Sequence, residues 1–307
     1  MRTMIISEFI QELRQKKIEI SFSDGKLKYS GPEENITPEL INKLKDNKGK
    51  LIKYFWPKEL DNLMPINPDG TKIPLFIVHG DSGNYIISDY LGPDQPVYGF
   101  FHPGSEGEAI RYNSVNEMVN SYLGKVLNVY PTGPFYLIGY SFGGLLAFEM
   151  ACQLQKQGHK IPFLILIDSY SPLAKESIIW EKTLFGVIRK NILGPLRRKL
   201  RDNIKLLKCM YYILMHKPIP IEPRKFYMYY KYLKLAKKHS PSKFSGNLLL
   251  FRTTENPSSH KYLGWETLAN GIKIIEIFGK HLDVFIGKNR TDILQKGIKE
   301  YLDYVNK

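Results

Sequence analysis

Cysteine is almost missing from this 307-residue chain; Cys152 and Cys209 are the only two. So few exclude a disulfide scaffold and a multi-cysteine zinc site, and they suit a reducing cytoplasm. Long hydrophobic runs are missing too. No stretch reaches the roughly 18 consecutive apolar residues of a membrane span, so membrane contact is not expected. The opening run MRTMIISEFIQELRQKK meets charge too early to read as a secretory signal. Acidic residues are scarce in one region. Residues 175–243 hold 18 Lys+Arg against 4 Asp+Glu, an excess equal to the net +14 of the whole chain. Basic charge confined to one internal segment argues against a general nucleic-acid binder and for one local basic surface. Internal repeats and low-complexity tracts are absent as well.

What is present falls into two parts. In the first, Ile6, Phe9, Ile10 and Leu13 recur at helical spacing. Ile18, Ile20 and Phe22 then alternate with polar residues. Asp24-Gly25 turns the chain, and Leu27 and Tyr29 alternate again, which is a hairpin signal because glycine accepts the positive φ of a tight turn. Thr37-Pro38-Glu39 reads as a helix cap with proline in the first turn. The expected unit is a small α+β helix–hairpin–helix module over residues 1–56, followed by a linker over 57–72 that contains Pro65 and Pro68. In the second part, 73–307, short apolar runs alternate with helical patterns: LFIVH, VYGF, YLIG, FLILID, LLLFR and IKIIEI. Continuous apolar strands separated by helices imply an α/β fold with a mostly parallel sheet covered on both faces.

Chemistry enters at Gly139-Tyr140-Ser141-Phe142-Gly143, between the strand YLIG and a helix. G-x-S-x-G at such a junction is the nucleophile elbow: the turn is too tight for side chains beside it, and it lifts the hydroxyl above the sheet. The plainer reading is a glycine-rich turn with an inert serine. A serine needs a base, and the base needs an orienting carboxylate. Asp168 closes the next strand at the same sheet edge, and His281 follows the last strand, in the chain order Ser…Asp…His. Asp283 is the second choice for the acid. The backbone N–H of Phe142 is one expected oxyanion donor, and Asp81, in the loop His79-Gly80-Asp81-Ser82-Gly83-Asn84, is the other. His79 is expected to shape that loop. His102, His159, His216, His239 and His260 read as surface residues.

PVYGF, YPTGPFYLIGYSFGGLLAFEMACQLQKQGHKIPFLILIDSYSP and GKHLDVF together resemble the thioesterase domains of nonribosomal peptide and polyketide synthetases, which are α/β-hydrolases. The resemblance implies that Ser141 is the acylated nucleophile, His281 the general base and Asp168 its acid. The first-strand loop departs from the family, reading HGDSGN where a proline and paired glycines are common. Residues 1–56 resemble the N-terminal docking domain of the tubulysin synthetase (TubC) type. That implies binding of a C-terminal docking peptide of an upstream synthetase subunit, with Lys26 and Lys28 favouring an acidic peptide. Residues 173–245 correspond to the family's lid. Their basic, apolar helical patterns read as a contact for a carrier protein, as a solvated face, or as an anionic membrane contact. The expected enzyme releases an acyl or peptidyl chain in trans from the phosphopantetheine of a carrier protein, with no metal or redox cofactor. The rivals are an editing thioesterase, a lipid esterase with an accessory front module, and a catalytically silent docking adaptor.

Overall fold

The computed structural model describes residues 6–23, 26–48, 51, 54, 60–174, 193–256, 258 and 260–306. The expected Asp24-Gly25 turn, Trp56-Pro57 and residues 175–192 of the expected lid lie outside the described residues.

The front segment runs α1 (Ile6–Gln15), β1 (Glu19–Ser23), β2 (Lys26–Ser30), α2 (Pro38–Asp46). The two strands pair antiparallel, with Ile20 opposite Tyr29 and Phe22 opposite Leu27. Thr37 Oγ1 accepts the Leu40 N–H at 3.2 Å, and Pro38 occupies the first turn, where its missing N–H has no helical partner to lose. Phe9, Ile10, Leu13, Ile18, Leu40, Leu44 and Leu51 bury together as a core of their own.

The larger sheet holds β3 (Leu63–Asn67), β4 (Leu75–Val78), β5 (Val97–Phe100), β6 (Tyr136–Tyr140), β7 (Phe163–Ile167), β8 (Phe244–Thr253) and β9 (Ala269–Ile277), in the order β3-β5-β4-β6-β7-β8-β9. Every neighbouring pair is parallel except β3–β5. Here the linker expected over 57–72 needs correcting, because Leu63–Asn67 forms an edge strand in the sheet. Pro65 hid it. A proline cannot donate to a ladder, so it is excluded from central strands but tolerated at an edge.

The helices are α3 (Ser82–Leu91), α4 (Val115–Val129), α5 (Phe142–Lys156), α6 (Leu193–Leu214), α7 (Ile221–Lys237) and α8 (Lys288–Val305). Alternate residues of the central strands face opposite ways. Phe76, Val78, Leu137, Leu164 and Leu166 bury with residues of α4 and α5; Leu75, Ile77, Ile138, Ile165 and Ile167 bury with residues of α3 and α8. Both faces are covered, which is why these strands read as unbroken apolar runs. The last two helices before β8, α6 and α7, belong to the expected lid, and Tyr227, Tyr232 and Leu235 of α7 join the core on the α4/α5 side. Among the described residues no helix is long and apolar enough to cross a membrane.

Candidate active site

Parallel strands deliver their carboxyl ends to one edge, and the chain turns sharply there. His79, Asp81, Ser141 and Asp168, all just beyond β4, β6 or β7, have φ of 58°, 47°, 54° and 43°. Left-handed backbone is rare outside glycine and gathers at functional sites. At Ser141 the tightness is measurable. A Cβ on Gly139 would lie 2.3 Å from the Gly143 carbonyl oxygen, and one on Gly143 would lie 2.2 Å from that of Val78. Only hydrogen fits at either place. Ser141 caps α5 without a side-chain cap bond, so its hydroxyl is left for another partner.

That partner is His281, whose Nε2 lies 2.9 Å from Ser141 Oγ, while its Nδ1 lies 2.7 Å from Asp168 Oδ2. Three side chains distant in sequence thus meet above the sheet edge. Asp168 is buried, and four groups hold it. Oδ1 accepts from the Thr253 N–H and from Asn256 Nδ2, each at 3.0 Å; Oδ2 accepts from Thr253 Oγ1 at 2.9 Å and faces His281. Burial pushes the Asp168 pKa up. The bonds to His281, Thr253 and Asn256 outweigh that and hold it below the usual aspartate range. Asn256 is itself fixed, its Oδ1 accepting from Tyr170 Oη and from the Ser258 N–H. Asp283 instead accepts the Lys280 N–H at 3.2 Å, a local cap on the short 3-10 helix His281–Asp283.

Tyr140 steadies the imidazole. Its ring stacks on His281 at 4.9 Å and 14°, and its hydroxyl donates to the His281 carbonyl at 2.7 Å. Burial, followed by the charge of Asp168, raises the Tyr140 pKa, so the hydroxyl keeps its proton. Thr253, Asn256 and Tyr140 were not anticipated from sequence. Tyr140 lies inside the G-x-S-x-G motif, whereas Thr253 and Asn256 reach Asp168 through the pairing of β7 with β8, which composition does not reveal.

A cavity of about 170 Å³ opens over the serine. Ser141, Phe142, Leu145 and Tyr170 line it from below, and Tyr229, Tyr232, Leu233 and Ala236 of α7 from above. Phe142 and Tyr232 stack at 4.7 Å and 13°. The wall is mostly apolar and aromatic with a few polar groups, the usual make-up of a small-molecule pocket. His79 is fully buried, with Nε2 2.9 Å from Tyr122 Oη, and burial holds its pKa well below the ordinary histidine value. Asp81, at the N-terminus of α3, turns its carboxylate toward His102 Nε2 at 3.6 Å. Two of the histidines read as surface residues are corrected here. His102 lies in the pocket wall against His79, their rings 4.0 Å apart, and burial lowers its pKa, opposed by the charge of Asp81. His239 is tucked against buried Glu149, with Nε2 2.9 Å from Oε1. A lone histidine in a polar loop looks solvated until its tertiary neighbours are known: α7 brings Tyr232 against His102, and α5 brings Glu149 to His239. Among the described residues no cluster of three or more His, Cys, Asp or Glu side chains is placed to hold a metal ion.

A mostly parallel sheet, helices on both faces and a serine on a strand-to-helix elbow define the α/β-hydrolase class. Comparison with known proteins narrows this. Residues 85–184 match the model of the thioesterase domain, and residues 6–56 match that of the TubC N-terminal docking domain. Malpinin synthetase of Mortierella alpina is 31% identical over 211 residues, covering 63% of this chain and 2% of that protein. The dimodular nonribosomal peptide synthase of Bacillus subtilis is 28% identical over 242 residues, covering 73% and 10%. The chain therefore spans a small part of these relatives. Among solved structures, the NocB thioesterase domain of the nocardicin cluster superposes with a TM-score of 0.57 at 21% identity, covering 79% of this chain and 99% of that one. The type II thioesterase BorB gives 0.52 at 17%, covering 78% and 96%. The hydrolase region is similar to the thioesterase domain over residues 85–184 and to segments of nonribosomal peptide synthetases.

Proposed function

We propose that this protein releases an acyl or peptidyl chain from a carrier protein through an acyl-enzyme on Ser141, acting in trans. The observation that carries the reading is the pair of contacts at His281, 2.9 Å to Ser141 Oγ and 2.7 Å to Asp168 Oδ2. His281 Nε2 takes the hydroxyl proton as Oγ bonds to the thioester carbonyl carbon. The oxyanion that forms is met by the backbone N–H groups of Phe142 and Asp81. The C–S bond then breaks and His281 returns the proton to the departing thiol. Water attacks the acyl-enzyme with His281 again as base; the Oγ–acyl bond breaks, Ser141 recovers its proton, and the carboxylic acid leaves. Asp168, kept ionised by its four partners, holds the tautomer whose Nε2 can accept a proton. The acyl group arrives on phosphopantetheine, and no metal or redox cofactor takes part.

The front module, residues 1–56, recruits the partner, with 73–307 as the catalytic domain. The docking-family match over residues 6–56 supports this. So does a groove of about 330 Å³ beside β1, lined by Ile10, Leu13, Arg14, Ile18, Glu19 and Ile20. Among the described residues β1 pairs with β2 alone, so its other edge can take an extended peptide as an added strand. The groove's cation is Arg14; Lys28 lies on β2, and the Lys26 side chain is outside the described residues. The test is intact-protein mass spectrometry of the full chain mixed with an acyl-carrier thioester. An adduct of the acyl mass, lost in Ser141→Ala, is expected. Preference for a soluble ester would favour the lipid esterase, and no adduct with any substrate would favour the silent adaptor.

A further inference from the structure

Helix α5 carries a charge where packing disfavours one. From Leu145 to Cys152 it reads LLAFEMAC, and Glu149 is the one charged residue of that run. Every residue of the run is buried, Glu149 to 1% exposure. A carboxylate taken out of water needs partners. Two come from the segment that follows α7. The Ser242 N–H donates to Glu149 Oε1 at 2.9 Å, and His239 Nε2 lies 2.9 Å from the same oxygen, with 6% of its side chain exposed. That nitrogen closes no hydrogen bond, so the contact is one of charge. Farther on, the Ser245 N–H donates to Gln155 Oε1 of α5 at 3.1 Å. A buried ion pair is weak ground for stability, because apolar residues of similar size commonly do as well in its place. What distinguishes this pair is its location. It ties the helix that starts at Ser141 to the helix that roofs the cavity.

Along α5, Phe142, Leu145 and Glu149 follow at spacings of three and four and share one face. Phe142 stacks on Tyr232 of α7, Leu145 lines the cavity, and Glu149 meets His239. Along α7, Leu233 and Ala236 line the cavity between Tyr232 and His239. The two helices are thus fastened on both sides of the residues that face the acyl chain, by an aromatic stack beside the serine and by charge beyond it. Other bonds hold α7 before its last turn: Tyr227 Oη accepts the Ile110 N–H at 3.0 Å, and Tyr232 Oη donates to the Pro103 carbonyl at 2.8 Å. At the carboxyl end the tie is Glu149 to His239. Apolar contact is non-directional and fixes no spacing, whereas a charged pair at 2.9 Å does. We propose that Glu149 and His239 are positioning residues that set the height of α7 above the cavity floor, and so the length of acyl chain the cavity accepts. This rests on the reading of that cavity as the acyl site.

The experiment uses the full chain with Glu149→Gln, His239→Leu and the double variant. Glu149→Gln keeps the size and an oxygen for the Ser242 N–H, and removes the charge. The double variant leaves no buried charge without a partner, so it keeps the test open where a single variant fails to fold. The substrates are the butyryl and octanoyl thioesters of N-acetylcysteamine. Wild type is expected to show the higher kcat/KM on octanoyl. Each single variant should lower that preference about tenfold through KM, as lost contact with about two of the four added methylene groups would. The double variant should be no worse than the more affected single one, because both remove the same tie. A pair that serves stability alone would lower kcat/KM for both acyl lengths by one factor, and that result overturns the proposal. So does a wild type indifferent to chain length, or single losses that simply add in the double variant. Butyl and octyl fluorophosphonates, labelling Ser141, read the same preference without a thioester. No thioester turnover by wild type, with the labelling preference present in wild type and lost in the variants, removes the thioesterase reading and still supports the tie.

Discussion

Asp168→Asn separates orientation from bulk. The change keeps size and removes charge, and the surroundings dictate how the new amide must sit. If its NH₂ faces the Oδ1 side, it meets the Thr253 N–H and the Asn256 amide, two donors whose positions are fixed. A buried donor without an acceptor costs about 1–3 kcal/mol, so that rotamer is disfavoured. If the NH₂ faces the Oδ2 side, the Thr253 hydroxyl can rotate to accept from it, but His281 must present a bare Nδ1. The imidazole proton then lies on Nε2, the atom that must receive the serine proton. Acylation is expected to slow by about 10⁴, or about 5.4 kcal/mol at 1.36 kcal/mol per decade. The assay is the single-turnover rate of Ser141 acylation by a thioester, read by intact mass. The thermal midpoint should fall by only a few degrees. The linkage has a definite sign. Asp168 has a lowered folded pKa, so its ionised form contributes stability above the ordinary aspartate pKa near about 4, which is lost as pH falls through the lowered value. Midpoints of wild type and variant should therefore converge in acid. A variant that acylates within tenfold of wild type would refute the orienting role.

Two glycines should respond in opposite directions. Gly143→Ala places a Cβ 2.2 Å from the Val78 carbonyl oxygen, so thermal midpoint and serine labelling should fall together; a near-normal value for either contradicts the elbow's tightness. Gly124→Ala, inside α4 with nothing within 4 Å, should stabilise by roughly 0.5–1 kcal/mol in a denaturant titration. His79 has a folded pKa well below the ordinary histidine value, so below about pH 6.5 the unfolded chain binds the proton first and stability is lost as pH falls. His79→Gln should flatten the decline of the thermal midpoint between about pH 6.5 and 5, and an unchanged slope would contradict that assignment.

The central strands were legible because burial on both faces leaves an unbroken apolar run, as in Leu75–Val78 and Phe163–Ile167. The G-x-S-x-G turn was legible because its glycines answer a steric need that spacing alone expresses. Leu63–Asn67 was not, since Pro65 splits its apolar residues Leu63, Met64 and Ile66 and argues against a strand. The partners of Asp168 were hidden for another reason. Thr253 and Asn256 arrive through long-range strand register, and a threonine ending one strand looks like any other until a neighbour brings the carboxylate beside it. The left-handed φ of 47° at Asp81 is not legible from an aspartate followed by serine.

The claim beneath the rest is that His281 activates Ser141. The direct measurement is the second-order rate at which a serine-directed fluorophosphonate modifies the full chain, with the modified residue located by peptide mass spectrometry. Modification at Ser141, slowed about 10³-fold or more in His281→Ala, is the expected result. Modification elsewhere, or an unchanged rate without the imidazole, would contradict it.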